Sequence, residues 1–268
     1  MTVTEADVER YQSDGAVALR GVFADWVEPL RAGVAANMAS PSAYERTVRP
    51  ADGTPAFFQD YCNWQRIPEF GRFVVESPAA AVAARLMRSR TARFFHEHVL
   101  VKPAGTSVKT PWHQDQPYYC TEGEQTVSLW IALDPVGREA SMECIAGSHR
   151  WGRAFSPTRF DGTKLYAQDS FEKMPDIEAD RAAHTVLGWA LEPGDAIAFS
   201  FRTVHGAPAN RSDMPRRVFS ARWVGDDATF ADRGARTSPP FPGLTLKHGD
   251  PLDAPEFPVV WPKPGARP

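Results

Sequence analysis

The sequence predicts a mainly β protein with flanking helices, in which short strands form an antiparallel barrel or sandwich. From Arg93 onward, short apolar runs are broken by glycine, proline and aspartate, as is typical of strands joined by turns. Helical periodicity is concentrated in the first third, and no strands alternate with long helices as they would in a parallel sheet. The 268 residues, of which 43% are hydrophobic, are enough for one domain with a sizeable core.

The first third of the chain contains the predicted helices. Thr4 is a good cap for a helix over residues 4–11, which ends at a turn over 13–15 and is followed by a short strand, Ala16–Leu19. Apolar residues at helical spacing predict a second helix over 25–38. An alanine-rich stretch predicts a third over 78–90.

Four apolar runs in the remainder predict the main strands, over residues 94–101, 127–133, 196–201 and 217–224. The segment 192–195, Glu-Pro-Gly-Asp, predicts a tight turn that leads into the third of these strands. The strand then ends near His205. This histidine is therefore expected at a strand terminus beside the mouth of a barrel, where ligands commonly bind.

Two segments are less regular. Residues 152–190 are polar and lack periodicity, which predicts an insertion loop that is either a lid over the mouth or a surface excursion. The tail from about residue 237 is too rich in proline for a helix or a central strand, and is expected to cover the surface as ordered coil. We expect residues 1–268 to form a single domain, with the helical third packed on the barrel.

Composition excludes several classes of protein. The sequence has no apolar run long enough for a membrane span and begins with a polar, acidic segment, so a cytoplasmic location is expected. Three widely spaced cysteines, Cys62, Cys120 and Cys144, indicate reduced thiols rather than disulfides or a zinc knuckle. A net charge of −3 and scattered arginines make nucleic acid an unexpected partner.

The most informative residues are His113, Asp115 and His205. Residues i and i+2 of a strand leave the same face, so His113 and Asp115 can hold one cation from the same side. A second histidine from another strand would complete a set of two histidines and one carboxylate. Such a set leaves coordination positions open and is typical of non-haem iron.

His96 and His98 form a rival metal pair, because they also share one face of a strand. His-x-His pairs of this kind occur in cupin metal proteins. No glutamate follows His98 at the short spacing that cupins require. We therefore expect both histidines to be residues of the barrel wall rather than metal ligands.

Several motifs in the same order resemble the phytanoyl-CoA dioxygenase family of iron(II)- and 2-oxoglutarate-dependent oxygenases. They span most of residues 5–225: Tyr11 with Asp14-Gly15, Val101-Lys102-Pro103, His113-Gln114-Asp115, Trp130 with Ala132-Leu133, Gly147-Ser148-His149, His205-Gly206 with Asn210, and Arg216-Arg217. The resemblance implies a double-stranded β-helix, a jelly-roll or cupin-like barrel.

The resemblance also implies the cofactors and the reaction. His113, Asp115 and His205 would bind Fe(II), with 2-oxoglutarate and O2 as cosubstrates. The reaction would hydroxylate an unactivated C–H bond of a small-molecule metabolite and release succinate and CO2. Relatives that halogenate replace the carboxylate ligand with a small residue, so the presence of Asp115 favours hydroxylation.

For 2-oxoglutarate, the resemblance implies a basic residue on the strand after His205. Arg216 lies 11 positions beyond His205, at the family spacing, and its planar guanidinium suits a carboxylate. Lys102 and Trp130 are further candidates for the cosubstrate site. Arg217 points to the opposite face of the strand and is expected at the surface.

The substrate is less well defined. The candidate pocket residues are aromatic or polar and flank the site in sequence: Phe58, Tyr61, Asn63, Trp64, Tyr118, Tyr119 and His149. A lack of basic clustering disfavours a CoA ester, whose phosphates would need cations. Two other functions stay open, a zinc-dependent hydrolase and a non-enzymatic metal-binding barrel of the same fold. The sequence does not indicate an oligomeric state.

Overall fold

The computed structural model describes residues 3–159, 162–166 and 171–263. Within these residues the α-helices are α1 (Glu5–Asp14), α2 (Val27–Ala39), α3 (Pro68–Glu76) and α4 (Ala79–Met87). The strands are β1 (Ala16–Leu19), β2 (Phe58–Tyr61), β3 (Ala92–Lys102), β4 (Thr110–His113), β5 (Thr121–Glu122), β6 (Thr126–Ala132), β7 (Glu143–Ile145), β8 (Val186–Gly188), β9 (Ala196–Phe199), β10 (His205–Ala207), β11 (Arg216–Val224), β12 (Thr229–Phe230) and β13 (Val259–Trp261).

Two antiparallel sheets dominate the fold, which confirms the mainly β prediction. The larger sheet has the order β1-β9-β6-β11-β3-β13, and β2 also pairs with β3. The smaller sheet has the order β4-β10-β7-β8, while β12 and β5 form a separate pair. The two main sheets do not close into a complete barrel. The long pairing of β11 with β3 places Arg216 opposite Lys102 and Arg222 opposite His96.

The helices cover the outer face of the larger sheet. Leu30 of α2, Phe70 and Phe73 of α3, and Leu86 of α4 are fully buried in one core with Phe219 of β11. The Phe70 and Phe219 rings lie 4.7 Å apart. Because strand residues alternate between faces, the odd-numbered side of β11 packs on the helices and its even-numbered side is left for the interior of the molecule.

The N-terminal helix begins and ends as its sequence predicts. The Thr4 hydroxyl accepts a hydrogen bond from the Asp7 amide, and the Asp7 carboxylate accepts one from the Thr4 amide, which forms a capping box. Gly15 ends the helix with a positive φ of 78°. A Cβ at Gly15 would lie 2.3 Å from Nδ1 of His149, so this position also has no room for a side chain.

The four predicted main strands are confirmed as β3, β6, β9 and β11, and the helices over 4–11, 25–38 and 78–90 as α1, α2 and α4. Helix α3 was missed by the sequence analysis. Its signals were Pro68 at the first helical turn and apolar residues at Phe70, Phe73 and Val74.

The turn before β9 is also confirmed. The Asp195 amide donates to the Glu192 carbonyl, and the Asp195 carboxylate accepts from the Glu192 amide. Gly194 has a φ of 90°, and a Cβ there would lie 2.6 Å from Cα of Ala24. Only glycine fits this close approach of two backbones.

The tail corrects one expectation, because it does more than cover the surface. Leu252 and Phe257 are buried in a core cluster with Phe95, and the Phe95 and Phe257 rings lie 5.2 Å apart. Strand β13 pairs with the N-terminal end of β3. The tail supplies apolar side chains that this end of the larger sheet would otherwise leave exposed.

The segment 152–190 is mostly irregular where it is described, as predicted, but β8 within it pairs with β7. Residues 160–161 and 167–170 of this segment, and 264–268 of the tail, lie outside the described residues. Across the described part of the chain, no helix has the length and apolar character needed to cross a membrane.

Candidate metal centre and active-site cavity

A cavity of about 1010 Å³ is lined by strands of both main sheets. The interior faces of β3, β6 and β11 contribute residues from the larger sheet, and β4 and β10 contribute residues from the smaller one. This volume is at the upper end of the range for small-molecule sites. The cavity contains the three residues that the sequence predicts as metal ligands.

His113 and His205 face each other across paired strands. They are direct partners in the pairing of β4 with β10, and their ring centroids are 4.2 Å apart. Nδ1 of His113 lies 2.8 Å from the Pro111 carbonyl oxygen, and Nδ1 of His205 lies 2.9 Å from the Thr203 carbonyl oxygen. A carbonyl oxygen can only accept, so each Nδ1 carries the proton. Each Nε2 is therefore left with a free lone pair for a metal.

Asp115 completes the group, but it is not on the strand that carries His113. Strand β4 ends at His113, and Asp115 has helical backbone angles, φ −74° and ψ −42°, just before a short 3-10 helix. The Phe201 carbonyl accepts hydrogen bonds from the amides of Asp115 and Gln116, which fixes this turn. The expectation of two ligands on one strand face is corrected, since a hydrogen-bonded turn does the positioning.

The ligand atoms of the three residues lie within 4.8 Å of one another. Oδ1 of Asp115 is 3.5 Å from Nε2 of His113 and 3.8 Å from Nε2 of His205. Asp115 and His205 are buried, and His113 is partly exposed to the cavity. Two imidazole nitrogens and one carboxylate oxygen that converge in this way can hold a divalent transition metal and leave part of its coordination open.

The charge states of the ligands suit metal binding. Burial lowers the pKa of His205 to about 3, so the His205 ring is neutral at physiological pH. Burial alone would raise the pKa of Asp115. The positive charge of Arg222 and the contact with His113 outweigh it and hold this pKa well below the usual range for a carboxyl.

Arg222 is a site residue that the sequence analysis missed. It is buried on β11, and its Nε lies 3.3 Å from Oδ2 of Asp115, which also accepts from the Ser128 hydroxyl at 3.3 Å. These two contacts leave Oδ1 as the oxygen that faces the histidines. The sequence does indicate that Arg222 faces the cavity, because it lies six positions after Arg216 and therefore on the same face of the strand.

The structure places Arg216 at the cavity wall and Arg217 outside it. Arg216 is buried, donates to the Ala140 carbonyl, and lies with its guanidinium carbon 5.6 Å from the centre of the Trp130 ring. Burial lowers the pKa of Arg216 to about 10, so it stays charged. Arg217 instead forms a two-pronged ion pair with Asp134 on the outer face. Among the described residues, no carboxylate pairs with Arg216.

Lys102 is buried but does not line the cavity. Its Nζ donates to the Pro208 carbonyl at 3.1 Å and lies 4.9 Å from the centre of the Phe57 ring. Burial, and then the charge of Arg216, lower the pKa of Lys102 to about 6. Lys102 is therefore largely neutral at pH 7, and its predicted contact with the cosubstrate stays a prediction. Trp130 lines the cavity beside Arg216.

His96 and His98 line the cavity but stand apart from the three-residue group. Burial and the charge of Arg222 lower the pKa of both rings, in His98 to about 3. Nδ1 of His96 and Nε2 of His98 have no hydrogen-bond partner among the described residues. Both rings make edge contacts with Tyr61. They form a neutral polar wall near the metal group.

The candidate substrate residues divide into two sets. Tyr61, Tyr118 and Tyr119 line the cavity, and the Tyr118 ring lies 5.8 Å from that of His113. The Tyr118 hydroxyl is already engaged, since it donates to the Thr158 carbonyl at 2.7 Å and accepts from the Thr158 amide at 2.9 Å. Tyr118 therefore holds Thr158 against the cavity.

The other four candidates do not line the cavity, and their predicted contact with substrate stays a prediction. Phe58 and Trp64 pack on the helix-covered core, because alternation along β2 turns Phe58 away from the face of Tyr61. The Asn63 side chain donates to the Tyr61 carbonyl and accepts from Arg66. His149 packs at the end of α1, where its Nε2 lies 3.2 Å from the Gln12 carbonyl.

Comparison with known proteins agrees with this site. The model of the phytanoyl-CoA dioxygenase (PhyH) family matches residues 11–218, and the chain belongs to this family. A probable phytanoyl-CoA dioxygenase of Caenorhabditis elegans is 21% identical over 178 residues, which are 65% of this chain and 52% of the relative. The chain thus spans about half the length of that curated relative.

Solved structures give similar results over nearly the whole chain. The epimerase SnoN, in complex with Fe3+, alpha ketoglutarate and nogalamycin RO, is 26% identical with a TM-score of 0.73, over 96% of this chain and 98% of SnoN. The carbocyclase SnoK from nogalamycin biosynthesis is 24% identical with a TM-score of 0.73, over 96% of each chain. EctD from S. alaskensis, with 2-oxoglutarate and 5-hydroxyectoine, is 18% identical with a TM-score of 0.69, over 93% of this chain and 85% of EctD.

These neighbours confirm the jelly-roll class of fold that the sequence predicted. SnoK and EctD are too distant in sequence to carry more than the fold. The donor set of His113, Asp115 and His205 is consistent with Fe(II) and 2-oxoglutarate. The SnoN structure contains Fe3+ and alpha ketoglutarate.

Proposed function

We propose that this chain is an Fe(II)- and 2-oxoglutarate-dependent dioxygenase that hydroxylates an unactivated C–H bond of a small-molecule metabolite. One observation carries the proposal. A buried, charged arginine without a carboxylate partner among the described residues, Arg216, lines the same cavity as the three-residue metal group. A buried charge is costly without a partner, and the distal carboxylate of 2-oxoglutarate would supply one.

In this proposal, His113, Asp115 and His205 hold the iron, which with 2-oxoglutarate and O2 supplies the oxidising power for the C–H bond. The chain's own residues position the metal ligand, the cosubstrate and the substrate. Arg222 fixes the orientation of Asp115 through Oδ2. Arg216, flanked by Trp130, would bind the far end of 2-oxoglutarate by a charge-assisted pair. The cavity walls keep the substrate near the metal and limit access of water.

The alternative of a zinc-dependent hydrolase also uses two histidines and an aspartate. It gives no reason for Arg216 to be buried and charged in the same cavity. Hydroxylation is favoured by Asp115, since it occupies the position where halogenating relatives have a small residue. The similarity to SnoN, an epimerase, makes a second outcome testable, namely epimerisation at a carbon centre without oxygen insertion.

The test is an anaerobic titration of 2-oxoglutarate into the Fe(II)-loaded protein, followed by visible absorption. Chelation of Fe(II) by the keto acid should produce a charge-transfer band, and the Zn(II)-loaded protein should give none. A protein that binds Fe(II) but never develops the band would contradict the proposal. A screen of metabolites for faster succinate release, with mass analysis of the product, would then separate hydroxylation from epimerisation.

A cytoplasmic location stays a prediction. Its support is that Cys62, Cys120 and Cys144 are free thiols, as expected for a reducing compartment. Fractionation of cells that express the full chain would test it.

A further inference from the structure

The mouth of the active-site cavity carries a group of positive charges that is not apparent in the sequence. Arg46, Arg49 and Arg236 all line the cavity, although they come from two segments almost two hundred positions apart in the chain. All three are exposed. We call these three residues the mouth arginines.

The mouth arginines have no acidic partner among the residues that the structure describes. The Arg46 guanidinium donates only to the Glu45 and Ala43 carbonyl oxygens, at 2.6 and 3.4 Å. No ion pair involves Arg49 or Arg236 within the described ranges. Exposed arginines in this protein otherwise often pair with a carboxylate, as Arg90 does with Asp226 at 3.4 Å.

The remainder of the cavity wall does not balance these charges. Among its described residues, Asp115 is the single carboxylate, and that group already faces the two histidines and Arg222. The other charged groups of the wall are Arg159, Arg216 and Arg222. Arg216 would be neutralised by 2-oxoglutarate, which leaves the outer part of the cavity positive and open.

Apart from these charges and polar groups such as His96 and His98, much of the cavity lining is aromatic or apolar. Tyr61, Tyr119 and Phe199 line it together with Leu100 and Met142. A ligand that fits this arrangement has an apolar or aromatic body for the inner cavity and an acidic group for the mouth. Low-dielectric walls strengthen the attraction between such an acid and the arginines.

We propose that the substrate is an organic anion with an apolar body, held at the mouth by Arg46, Arg49 and Arg236. The inference rests on the proposed function, because it takes the cavity to be the active site. The acidic group is a carboxylate, a sulfate or a phosphate ester. The sequence analysis disfavoured a CoA ester because no basic cluster is visible along the chain, and the folded structure removes that objection.

The test uses a fluorescent anion and its neutral counterpart. The probes are 1-anilinonaphthalene-8-sulfonate and N-phenyl-1-naphthylamine, which share the same rings and differ in the sulfonate. Each is titrated into the full chain loaded with Ni(II) and saturating 2-oxoglutarate, so that Arg216 is occupied and no turnover occurs. We expect saturable binding of the anion, weakened by added salt, and markedly weaker binding of the neutral probe.

Variants then assign the effect to the mouth. The double variant Arg49→Gln and Arg236→Gln should bind the anion about fivefold more weakly, as expected for two exposed charges, and the neutral probe unchanged. Lysine at both positions should restore most of the affinity. The control, Arg10→Gln with Arg211→Gln, removes the same charge from two exposed arginines that do not line the cavity.

Three results would overturn the proposal: no binding of the anion, equal binding of the two probes, or equal losses in the mouth and control variants. Displacement of the anion by 1-naphthoate or by 1-naphthyl phosphate would identify the preferred acid, and equal displacement by the neutral 1-naphthamide would count against any anion site. The Fe(II) absorption band tests the proposed function without these probes, so the two proposals fail separately.

Discussion

The inner end and the mouth of the cavity are built in different ways. At the inner end, the charged residues Arg216 and Arg222 are buried on a strand that is paired on both sides. At the mouth, Arg49 and Arg236 are exposed and lie outside the strands. The inner end therefore has one geometry, fixed by the sheet, while the mouth can vary. This division is what an enzyme needs if it combines fixed chemistry with a selective entrance.

The largest effect is expected when a metal ligand is removed from the inner end of the cavity. Asp115→Ala and His205→Ala should each abolish succinate production while the fold stays intact, because either change leaves only two metal ligands. Succinate would be measured by mass spectrometry and the fold by circular dichroism. His248→Ala, at an exposed position, is the control. Substantial turnover in either ligand variant would refute the site assignment.

The next test compares two neighbouring residues on opposite faces of β11. Arg216→Ala should raise the KM for 2-oxoglutarate about 10- to 100-fold, the effect of losing a charged hydrogen-bonded pair. Arg217→Ala removes only the ion pair with Asp134 on the outer face and should leave KM nearly unchanged. If Arg217→Ala had the larger effect on KM, the assignment of strand faces would be wrong by one residue.

A third test concerns the face of β3 that points away from the cavity. Glu97 is buried on the opposite face of β3 from the cavity and accepts hydrogen bonds from the amides of Asn63 and Trp64. Burial raises its pKa from 4.5 to about 8. Between these two pH values the folded state keeps a proton that the unfolded state releases. The contribution of Glu97 to the free energy of unfolding is therefore largest below pH 4.5 and is lost as the pH rises toward 8.

Glu97→Gln should therefore remove this pH-dependent fall in the free energy of unfolding. Between pH 5 and 8 the wild-type free energy of unfolding should fall by on the order of a few kcal/mol from this group, and that of the variant should change less. Urea unfolding at several pH values measures both. Identical pH dependence in the two proteins would show that Glu97 is ionised in the folded state.

The smallest expected effect concerns the mouth. Tyr118→Phe removes the two hydrogen bonds to the backbone of Thr158, each worth about 1 kcal/mol. Hydrogen exchange of residues 154–159 should become several-fold faster, while the Fe(II) and 2-oxoglutarate absorption band should not change. Tyr44→Phe is the control. A change in the band would mean that the Tyr118 hydroxyl also affects the metal group, whose His113 ring lies 5.8 Å from the Tyr118 ring.

The inner end was largely predictable from the sequence, and the mouth was not. Alternation along a strand is a local property, so the spacing of Arg216 and Arg217 was enough to place one inside and one outside. The position of Asp115 was harder, because its turn depends on the Phe201 carbonyl, which is distant in sequence. The mouth arginines come together only through folding of segments without periodicity. No local pattern could have grouped them.

The pairing of β3 with β11 keeps Lys102 opposite Arg216 and His96 opposite Arg222 whatever the surrounding loops contain. Random mutagenesis confined to Arg46, Arg49 and Arg236 would therefore alter which molecules the protein accepts without touching its catalytic apparatus. Gene duplicates of such a chain could diverge toward new metabolites through a handful of entrance substitutions, and a protein engineer could follow the same route.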